Sequence, residues 1–219
     1  MSKPAKSEET RARILDAAID RFRARGFAET TMREIAVAAG VATGAAYYYF
    51  DSKDAIVLAF YDRAQRQLEP LLSEALSEVR DFEGRLRRLV EVKIAYFGPD
   101  RSLLRALAAH TDPEHPLSPF SAQTAAIRER DVAFFSRLLA ESRIKLPADL
   151  APLLPGILWL YQMGLILFWI YDRSDRQKRT HSLIEHSAAM VSRLIRLSGF
   201  PLLRPARKAV VELVQTVTA

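Results

Sequence analysis

Apolar residues recur along this chain at intervals of three and four positions, which is the period of an amphipathic helix. No segment shows the sustained two-residue alternation of a strand or the turn of a hairpin. Helices are therefore predicted over about 10–25, from Thr31 to Gly40, over 45–49, from Ser52, and over 82–97, 102–110, 120–143, 148–171, 180–198 and 205–217. The breaks fall at 26–30, 98–99, 111–119 and 146–147. This pattern predicts an all-α protein.

The helix that begins near Ser52 carries Ile56 and Phe60 on its apolar side and then meets Pro70. Proline lacks an amide hydrogen and its ring clashes with the preceding helical turn. We therefore expect this helix to kink or end near Glu69.

The stretch from 150 to 171 contains no charged residue over 22 positions, about the length that crosses a bilayer. Pro152, Pro155 and Gly156 interrupt its start and leave a helix of roughly 24 Å, which is shorter than the hydrocarbon core. A membrane span is thus one interpretation. We favour a helix buried on every side, in a core or in the seam of an oligomer, and expect no membrane contact.

Two short predicted helices, at 31–40 and 45–49, are separated by a turn that begins at Gly40. Thr31 and Glu34 have the spacing of a capping box, in which each side chain binds the backbone amide of the other. Together with the first helix this pair predicts a three-helix unit containing a helix-turn-helix. The second helix carries small residues and three tyrosines rather than an apolar stripe, which suits contact with a polar groove. Tight helical corners with structural tyrosines also occur in proteins that do not bind DNA.

Composition describes a soluble globular protein of 219 residues with a net charge of +6. Residues 173–208 hold nine basic and two acidic residues, so most of the excess positive charge lies there and not in the helix-turn-helix. The absence of cysteine excludes disulfides and agrees with a reducing compartment. The first 13 residues contain no apolar signal core, and we expect a cytoplasmic protein.

Residues 30–54, TTMREIAVAAGVATGAAYYYFDSKD, together with the Ile14 helix and Phe27, resemble the DNA-binding domain of the TetR family of bacterial regulators. The resemblance covers about residues 10–58. It implies a DNA-binding domain over 1–55 and a ligand-binding and dimerisation domain over 56–219. It also implies that a shift of the fourth helix, which links the two domains, changes the spacing of two recognition helices.

The resemblance further implies a set of DNA contacts, which are Thr31, Thr43, Gly44, Ala45, Tyr47, Tyr48 and Lys53. Thr31 would meet a phosphate at a helix N-terminus, and Lys53 would form a phosphate ion pair. Residues 43–45 would enter the major groove, and Tyr47 and Tyr48 would reach the backbone or base edges.

The sequence departs from the family pattern at three positions. Ala42 stands where a serine or threonine often caps the recognition helix, so Thr43 takes over that role or the cap is absent at a cost of about 1 kcal/mol. Thr43 replaces a frequent basic residue, which leaves the helix without a cation for guanine. Tyr49 replaces a common histidine, and at least one of the three tyrosines is expected to pack beneath the domain.

In the resembled family the last two large helices of two subunits form a four-helix seam. The matching positions, at spacings of three and four, are Leu158, Tyr161, Leu165, Phe168, Ile184, Ala188, Val191 and Ile195. Gly164 would allow close approach. A homodimer also meets a geometric need, because two recognition helices must lie roughly 34 Å apart to read successive major grooves.

A mostly apolar set with few polar groups has the makeup of a small-molecule pocket. The candidates are Phe97, Leu104, Leu107, Phe134, Trp159, Gln162 and Met163. Such residues more often form plain core. His110 and His115 flank two acidic residues, but the intervening proline indicates a loop rather than a metal site, and we expect no metal and no cofactor.

The sequence contains no phosphate loop, nucleophile elbow or paired-histidine zinc helix, so we expect no enzyme. The predicted function is a homodimeric transcriptional repressor that binds an inverted-repeat operator in double-stranded DNA. An apolar or amphipathic small molecule is expected to release it. A TetR-like activator, a ligand-insensitive regulator and a membrane-associated helical protein are the alternatives.

Overall fold

The computed structural model describes the backbone of residues 3–110 and 112–218, and the side chains of all of these except 3, 4, 215, 217 and 218. Within these ranges the regular structure is helical and contains no strand, which confirms the all-α prediction. Thr111, the first residue of one predicted break, lies outside the described residues.

The residues that the structure describes form ten α-helices, numbered in chain order. They are α1 Lys3–Arg25, α2 Met32–Ala38, α3 Thr43–Tyr49, α4 Lys53–Ser77, α5 Phe82–Phe97, α6 Arg101–Leu107, α7 Ala125–Glu141, α8 Leu154–Tyr171, α9 Lys178–Leu197 and α10 Arg204–Thr218. Short 3-10 turns precede α6, α9 and α10. The helix over 82–97 has the predicted bounds.

Two predicted helices begin later than expected. Helix α7 starts at Ala125 because the buried Thr124 hydroxyl donates to the Ser118 carbonyl at 2.7 Å and closes a separate turn before it. Helix α8 starts at Leu154 rather than near 148, with Pro155 in its first turn, where a missing amide hydrogen costs little.

Helix α4 does not end at Glu69, so of the two outcomes predicted there, a kink or an end, the end is wrong. It continues through Pro70 to Ser77. Leu68 is buried on one side of the proline, and Leu72 and Leu76 are buried on the other. Burial of these leucines favours a continuous helix enough to offset the lost hydrogen bond.

The chain forms two compact units. Unit one comprises residues 1–68 and 97–128, and unit two comprises 69–96 and 129–219. The division falls within α4, after Leu68, whereas the predicted functional boundary falls after residue 55. Assignment of DNA binding and ligand binding to separate domains stays a prediction.

The core of unit one is formed by α1, α2, α3 and the first part of α4. Ile14, Ile35 and Ile56 are fully buried in it. Gly26 and Gly40 adopt positive φ values of 92° and 65°, so each ends a helix in the left-handed conformation that glycine tolerates best. These two turns set the directions in which α2 and α3 leave their predecessors.

An ion pair fixes the end of α1 within unit one. The Arg23 guanidinium donates to both carboxylate oxygens of Asp100, at 2.7 and 3.1 Å, and Asp100 is buried. The hydrogen bond to Asp100 raises the pKa of Arg23. This bidentate contact holds α1 against the turn that precedes α6.

The turn between α8 and α9 in unit two is closed by Asp172. Its carboxylate accepts from the Ser174 amide at 2.8 Å and from the Thr180 amide and hydroxyl at 3.0 and 2.7 Å. Burial alone would raise the pKa of Asp172, but these hydrogen bonds hold it well below its usual value.

Helix α8, Leu154–Tyr171, is by length and composition apolar enough to cross a membrane. In the structure 44% of this window is buried inside the protein. Core helices of soluble proteins have the same features, so the helix is weak evidence for a membrane span.

Candidate nucleic-acid interface

The N-terminus of α2 carries the predicted capping box. The Thr31 hydroxyl accepts from the Glu34 amide at 3.2 Å, and the Glu34 carboxylate accepts from the Thr31 amide and hydroxyl at 2.8 and 2.9 Å. Hydrogen bonds to the Thr31 backbone and side chain lower the pKa of Glu34. The predicted phosphate-binding groups of Thr31 are thus engaged by a carboxylate, which must turn away before a phosphate can take its place.

Helix α3 begins at Thr43 without a side-chain cap. Ala42 occupies the N-cap position in an extended conformation, and no side chain accepts from the first turn. Of the two possibilities left by the sequence, the cap is therefore absent. Thr43 and Gly44 are exposed, Ala45 is half-buried, and a Cβ added at Gly44 would meet nothing within 4 Å.

The three tyrosines at the end of α3 have different surroundings. Tyr48 is 83% exposed and Tyr47 is 51% exposed. Tyr49 packs against the core of unit one, and its hydroxyl accepts from Ser7 at 3.3 Å. Tyr49 is thus the packing residue that the sequence could not single out, and Tyr47 and Tyr48 present their rings to solvent.

Lys53, in the first turn of α4, is held by the loop after α1. Its ammonium donates to the carbonyls of Phe27 and Ala28, at 2.7 and 3.1 Å, and lies 4.7 Å from the centre of the Phe27 ring. An ammonium has three hydrogens to donate, so one is left for an anion. The two carbonyl contacts fix the charge in place, and its role toward a phosphate stays a prediction.

Two exposed residues of α2 were not among the predicted contacts. Arg33 is exposed and Val37 is 72% exposed, and their spacing of four places them on one side of the helix. Val37 lies off the buried apolar side of α2. Its place in the helical period is the feature of the sequence that could have identified it as exposed.

The structure places the predicted dimer residues in several environments of unit two. Leu158, Leu165, Ile184, Ala188 and Ile195 are buried within this chain. Tyr161 and Val191 are half-buried, and the Tyr161 hydroxyl lies 2.7 Å from the Ser187 hydroxyl across α8 and α9. Phe168 is exposed. Most of these positions are thus buried within this chain, and Tyr161 joins α8 to α9.

Other apolar residues of α8 and α9 are exposed instead. They are Leu160, Leu167, Tyr171, Met190, Leu194 and Leu197. Gly164 is also exposed, with open space beyond its Cα. The surface available to a second chain is therefore formed by positions that the 3,4,3 spacing did not select, apart from Phe168.

The predicted pocket residues are divided between the two units. In unit one Phe97 packs against the core, Leu104 is half-buried and Leu107 is buried. In unit two Phe134 and Met163 are half-buried, whereas Trp159 and Gln162 are buried. That these seven residues line one ligand site stays a prediction.

Gln162 belongs to a buried polar cluster in unit two that the sequence did not reveal. The Lys93 ammonium donates to Asp131 Oδ1 at 2.8 Å, and Gln162 Nε2 donates to Asp131 Oδ2 at 3.2 Å. Lys93 is 3% exposed and Gln162 is 1% exposed. The oxygen Oε1 of Gln162 is buried without a hydrogen-bond partner, which costs about 1–3 kcal/mol.

A groove of about 820 Å³ opens on another part of unit two. It is lined by α4, α5 and His181, and Glu74, Glu78 and Glu91 give it an acidic wall. None of the predicted pocket residues lines it.

The candidate histidines do not form a metal site among the described residues. The rings of His110 and His115 stack with their centres 3.9 Å apart, and the His115 Nδ1 accepts from the Leu117 amide. No group of three or more potential ligands is found within the described ranges.

Comparison with known families gives two matches that together span most of the chain. Residues 14–60 match the family described as bacterial regulatory proteins, tetR family. Residues 85–215 match the family described as tetracyclin repressor-like, C-terminal domain. The second match covers more than half of the 219 residues.

Among curated proteins, the chain is similar to the HTH-type transcriptional regulator SrpR of Pseudomonas putida, with 39% identity over 80 residues. That alignment covers 36% of this chain and only 38% of SrpR. The chain spans between 38% and 54% of the length of the first curated relatives that it matches.

Two solved structures illustrate the likeness in fold. One, described as a TetR-family transcriptional regulator from Syntrophomonas wolfei, has a TM-score of 0.65 at 18% identity and covers 84% of this chain and 95% of its own. The other is NalD, the secondary repressor of the MexAB-OprM multidrug efflux pump in Pseudomonas aeruginosa. It has a TM-score of 0.56 at 24% identity and covers 84% of this chain and 96% of its own.

Proposed function

The chain belongs to the TetR family of bacterial regulatory proteins, which are non-enzymatic DNA-binding transcriptional regulators, and from this premise we propose that it is a cytoplasmic homodimeric repressor released from its operator by a small molecule. The observation that carries the proposal is the exposed face of α3. There a helix of a three-helix unit offers Tyr47 and Tyr48 to solvent, and the next helix begins with Lys53, whose charge is held by the Phe27 and Ala28 carbonyls.

The chemistry of α3 determines how such a protein would read DNA. The helix has no arginine or lysine, so bidentate recognition of guanine by a cation is excluded for it. Thr43 and Ala45 offer methyl groups suited to thymine, and the tyrosine hydroxyls can donate to phosphate or base edges. Readout therefore relies on methyl contacts, bridging water and DNA shape.

Dimerisation is supported by the exposed apolar residues of α8 and α9. Within each helix these residues recur at helical spacing on one side, and large exposed apolar surfaces often mark protein–protein contacts. A two-fold dimer buries the same surface of both subunits and supplies the second recognition helix that an inverted repeat requires. The repressor role is supported by the likeness to NalD, which is described as a repressor.

Release by a ligand requires that the ligand bind the DNA-incompetent state more tightly than the competent one. Support for a ligand comes from the buried cluster of Lys93, Asp131 and Gln162 in unit two. Helix α4 contains residues of both units and is the element through which a change in spacing would pass.

The proposal is tested by selecting duplexes from a random pool with the purified full-length chain. We expect enrichment of an inverted repeat whose half-sites are about 10 base pairs apart, or a multiple of this spacing. If no sequence is enriched over bulk DNA, the helix-turn-helix does not read sequence and the proposal is wrong.

Two variants distinguish the role predicted for Lys53 from that predicted for Thr43 in binding the selected duplex. Lys53→Ala should weaken binding to all duplexes and reduce the slope of log affinity against log salt by about one. Thr43→Ala should mainly change the preferred sequence. Fluorescence anisotropy at several salt concentrations measures both effects, and the reverse pattern would contradict the assignment. Because Lys53 also binds two backbone carbonyls, Lys53→Arg serves as the charge-preserving control.

A further inference from the structure

The buried cluster in unit two has more hydrogen-bonding capacity than its own members use. Gln162 Oε1 has no hydrogen-bond partner, and the Lys93 ammonium donates one of its three hydrogens to Asp131. Both side chains are at least nine-tenths buried. Native proteins seldom leave such groups unmatched, so the cluster is shaped for a partner that the protein itself does not supply.

The orientation of the Gln162 amide is fixed by Asp131. Turning the amide over would place its oxygen 3.2 Å from a carboxylate oxygen, which is a repulsive contact. The amide nitrogen therefore faces Asp131, and the amide oxygen is the free acceptor. The missing partner must donate a hydrogen bond to it.

The charges of the cluster define the partner further. Asp131 neutralises Lys93, so an ionised group added at this depth would be uncompensated. The remaining Lys93 hydrogens call for an acceptor and Gln162 for a donor. A hydroxyl or a carboxamide provides both without a net charge.

The cluster lies on three helices, α5, α7 and α8, whose other buried side chains are largely apolar. Among them are Leu89, Val90, Phe135, Leu138, Leu158 and Trp159. A partner that enters this part of unit two therefore has an apolar body. Resting on the function proposed above, we propose that Lys93, Asp131 and Gln162 bind the neutral hydroxyl or carboxamide head group of an otherwise apolar effector.

The test uses four compounds that share one apolar body and differ only in the head group. They are 2-naphthol, 2-naphthamide, 2-methylnaphthalene and 2-naphthoate, titrated into the full-length protein by calorimetry. We expect 2-naphthol and 2-naphthamide to bind about tenfold more tightly than the other two, the increment of a hydrogen-bonded head group. Gln162→Leu should abolish this preference, and Gln162→Met, which keeps the side-chain length without the amide, should do the same.

Gln123→Leu, an exposed glutamine in unit one, is the matched control and should keep the preference. Equal affinity for all four compounds, or binding by none of them up to their solubility limit, would overturn the proposal and leave buried water as the occupant of the cluster. Affinity of the unchanged protein for its selected duplex is measured in parallel. Loss of head-group preference with intact DNA binding defeats only this inference, whereas absence of sequence-specific DNA binding defeats the proposed function.

Discussion

The helix pair α2 and α3 in unit one differs from the pair α8 and α9 in unit two. The difference lies in how well the residue type at a position indicates whether that position is exposed or buried. On α3 the buried residue is Ala46 and the exposed ones are Tyr47 and Tyr48. On α8 leucines occupy both kinds of position, with Leu158 buried and Leu160 exposed. On α3 the exposed positions thus carry small or hydroxyl-bearing residues, whereas on α8 the same residue type is found at buried and at exposed positions.

This difference agrees with the partners proposed for the two surfaces. A face that meets a wet, charged groove can be built from small and hydroxyl-bearing residues, which stand out against a core. A face suited to a second copy of the same chain is as apolar as the core itself. The apolar face of α8 and α9 was therefore harder to locate than the face of α3.

The largest expected effect lies in the interior of unit two. Asp131→Ala leaves the Lys93 ammonium buried without its counter-charge and should destabilise the protein by about 3–5 kcal/mol. Urea denaturation followed by circular dichroism measures this change. Glu69→Ala breaks the exposed Arg137–Glu69 pair and, as the control, should cost about 0–1 kcal/mol. Similar costs for both variants would show that the cluster is not sequestered from water.

The next effect concerns the exposed face of unit one. Tyr48→Ala should weaken binding to the selected duplex about tenfold, by loss of a hydrogen bond and of ring contact, and leave the free energy of unfolding within about 0.5 kcal/mol. Anisotropy and urea denaturation provide the two values. Tyr49→Phe is the matched control, because the Tyr49 ring packs against the core and should not affect DNA affinity in this way. A Tyr48→Ala variant that binds normally would remove Tyr48 from the interface.

A smaller effect tests the missing cap of α3. The backbone of Ala42 is already extended, so Ala42→Ser should supply the absent acceptor and stabilise the protein by about 1 kcal/mol. A rise in the urea midpoint measures the gain. Thr31→Ala removes the cap that α2 does have and should cost a similar amount, so the two changes have opposite signs. Destabilisation by both would mean that Ala42 has a packing role.

The smallest effect is the dependence of stability on pH through Asp172. Because hydrogen bonds lower its pKa in the folded state, the carboxylate contributes stability above the unfolded value of about 3.9. That contribution is lost as the pH falls below this value. The difference in Tm between the unchanged protein and Asp172→Asn should thus be largest near pH 6 and shrink toward pH 3. Glu185→Gln, at an exposed position of α9, is the control, and a difference that grows on acidification would contradict the account.

Local features were predictable because their causes lie within a few residues. The Thr31–Glu34 box, the left-handed glycines at 26 and 40, and the bounds of α5 all follow from adjacent sequence. The continuation of α4 through Pro70 was not predictable, because it depends on burial of leucines on both sides of the proline. The Lys93–Asp131 pair joins residues 38 positions apart, and no periodicity signals such a contact.

The candidate interface was predictable in its elements but not in its details. Sequence identified the helix pair α2 and α3, and the family resemblance implied contacts by Tyr47 and Tyr48, but the sequence left open which of the three tyrosines packs beneath the domain. The choice among the tyrosines depends on how α3 rotates over the core, which is set by packing. Likewise, the engagement of Thr31 by Glu34 was expected, and the structure adds that the Glu34 carboxylate accepts from both the amide and the hydroxyl of Thr31.

The central claim is that this chain reads DNA sequence through α3. The most direct measurement is the ratio of its affinities for the selected duplex and for a scrambled duplex of the same length and composition, at the same salt concentration. The account predicts a ratio of about 10³ or more, as is typical of specific regulators. Equal affinities for the two duplexes would show that only the phosphate backbone is bound and would contradict the account.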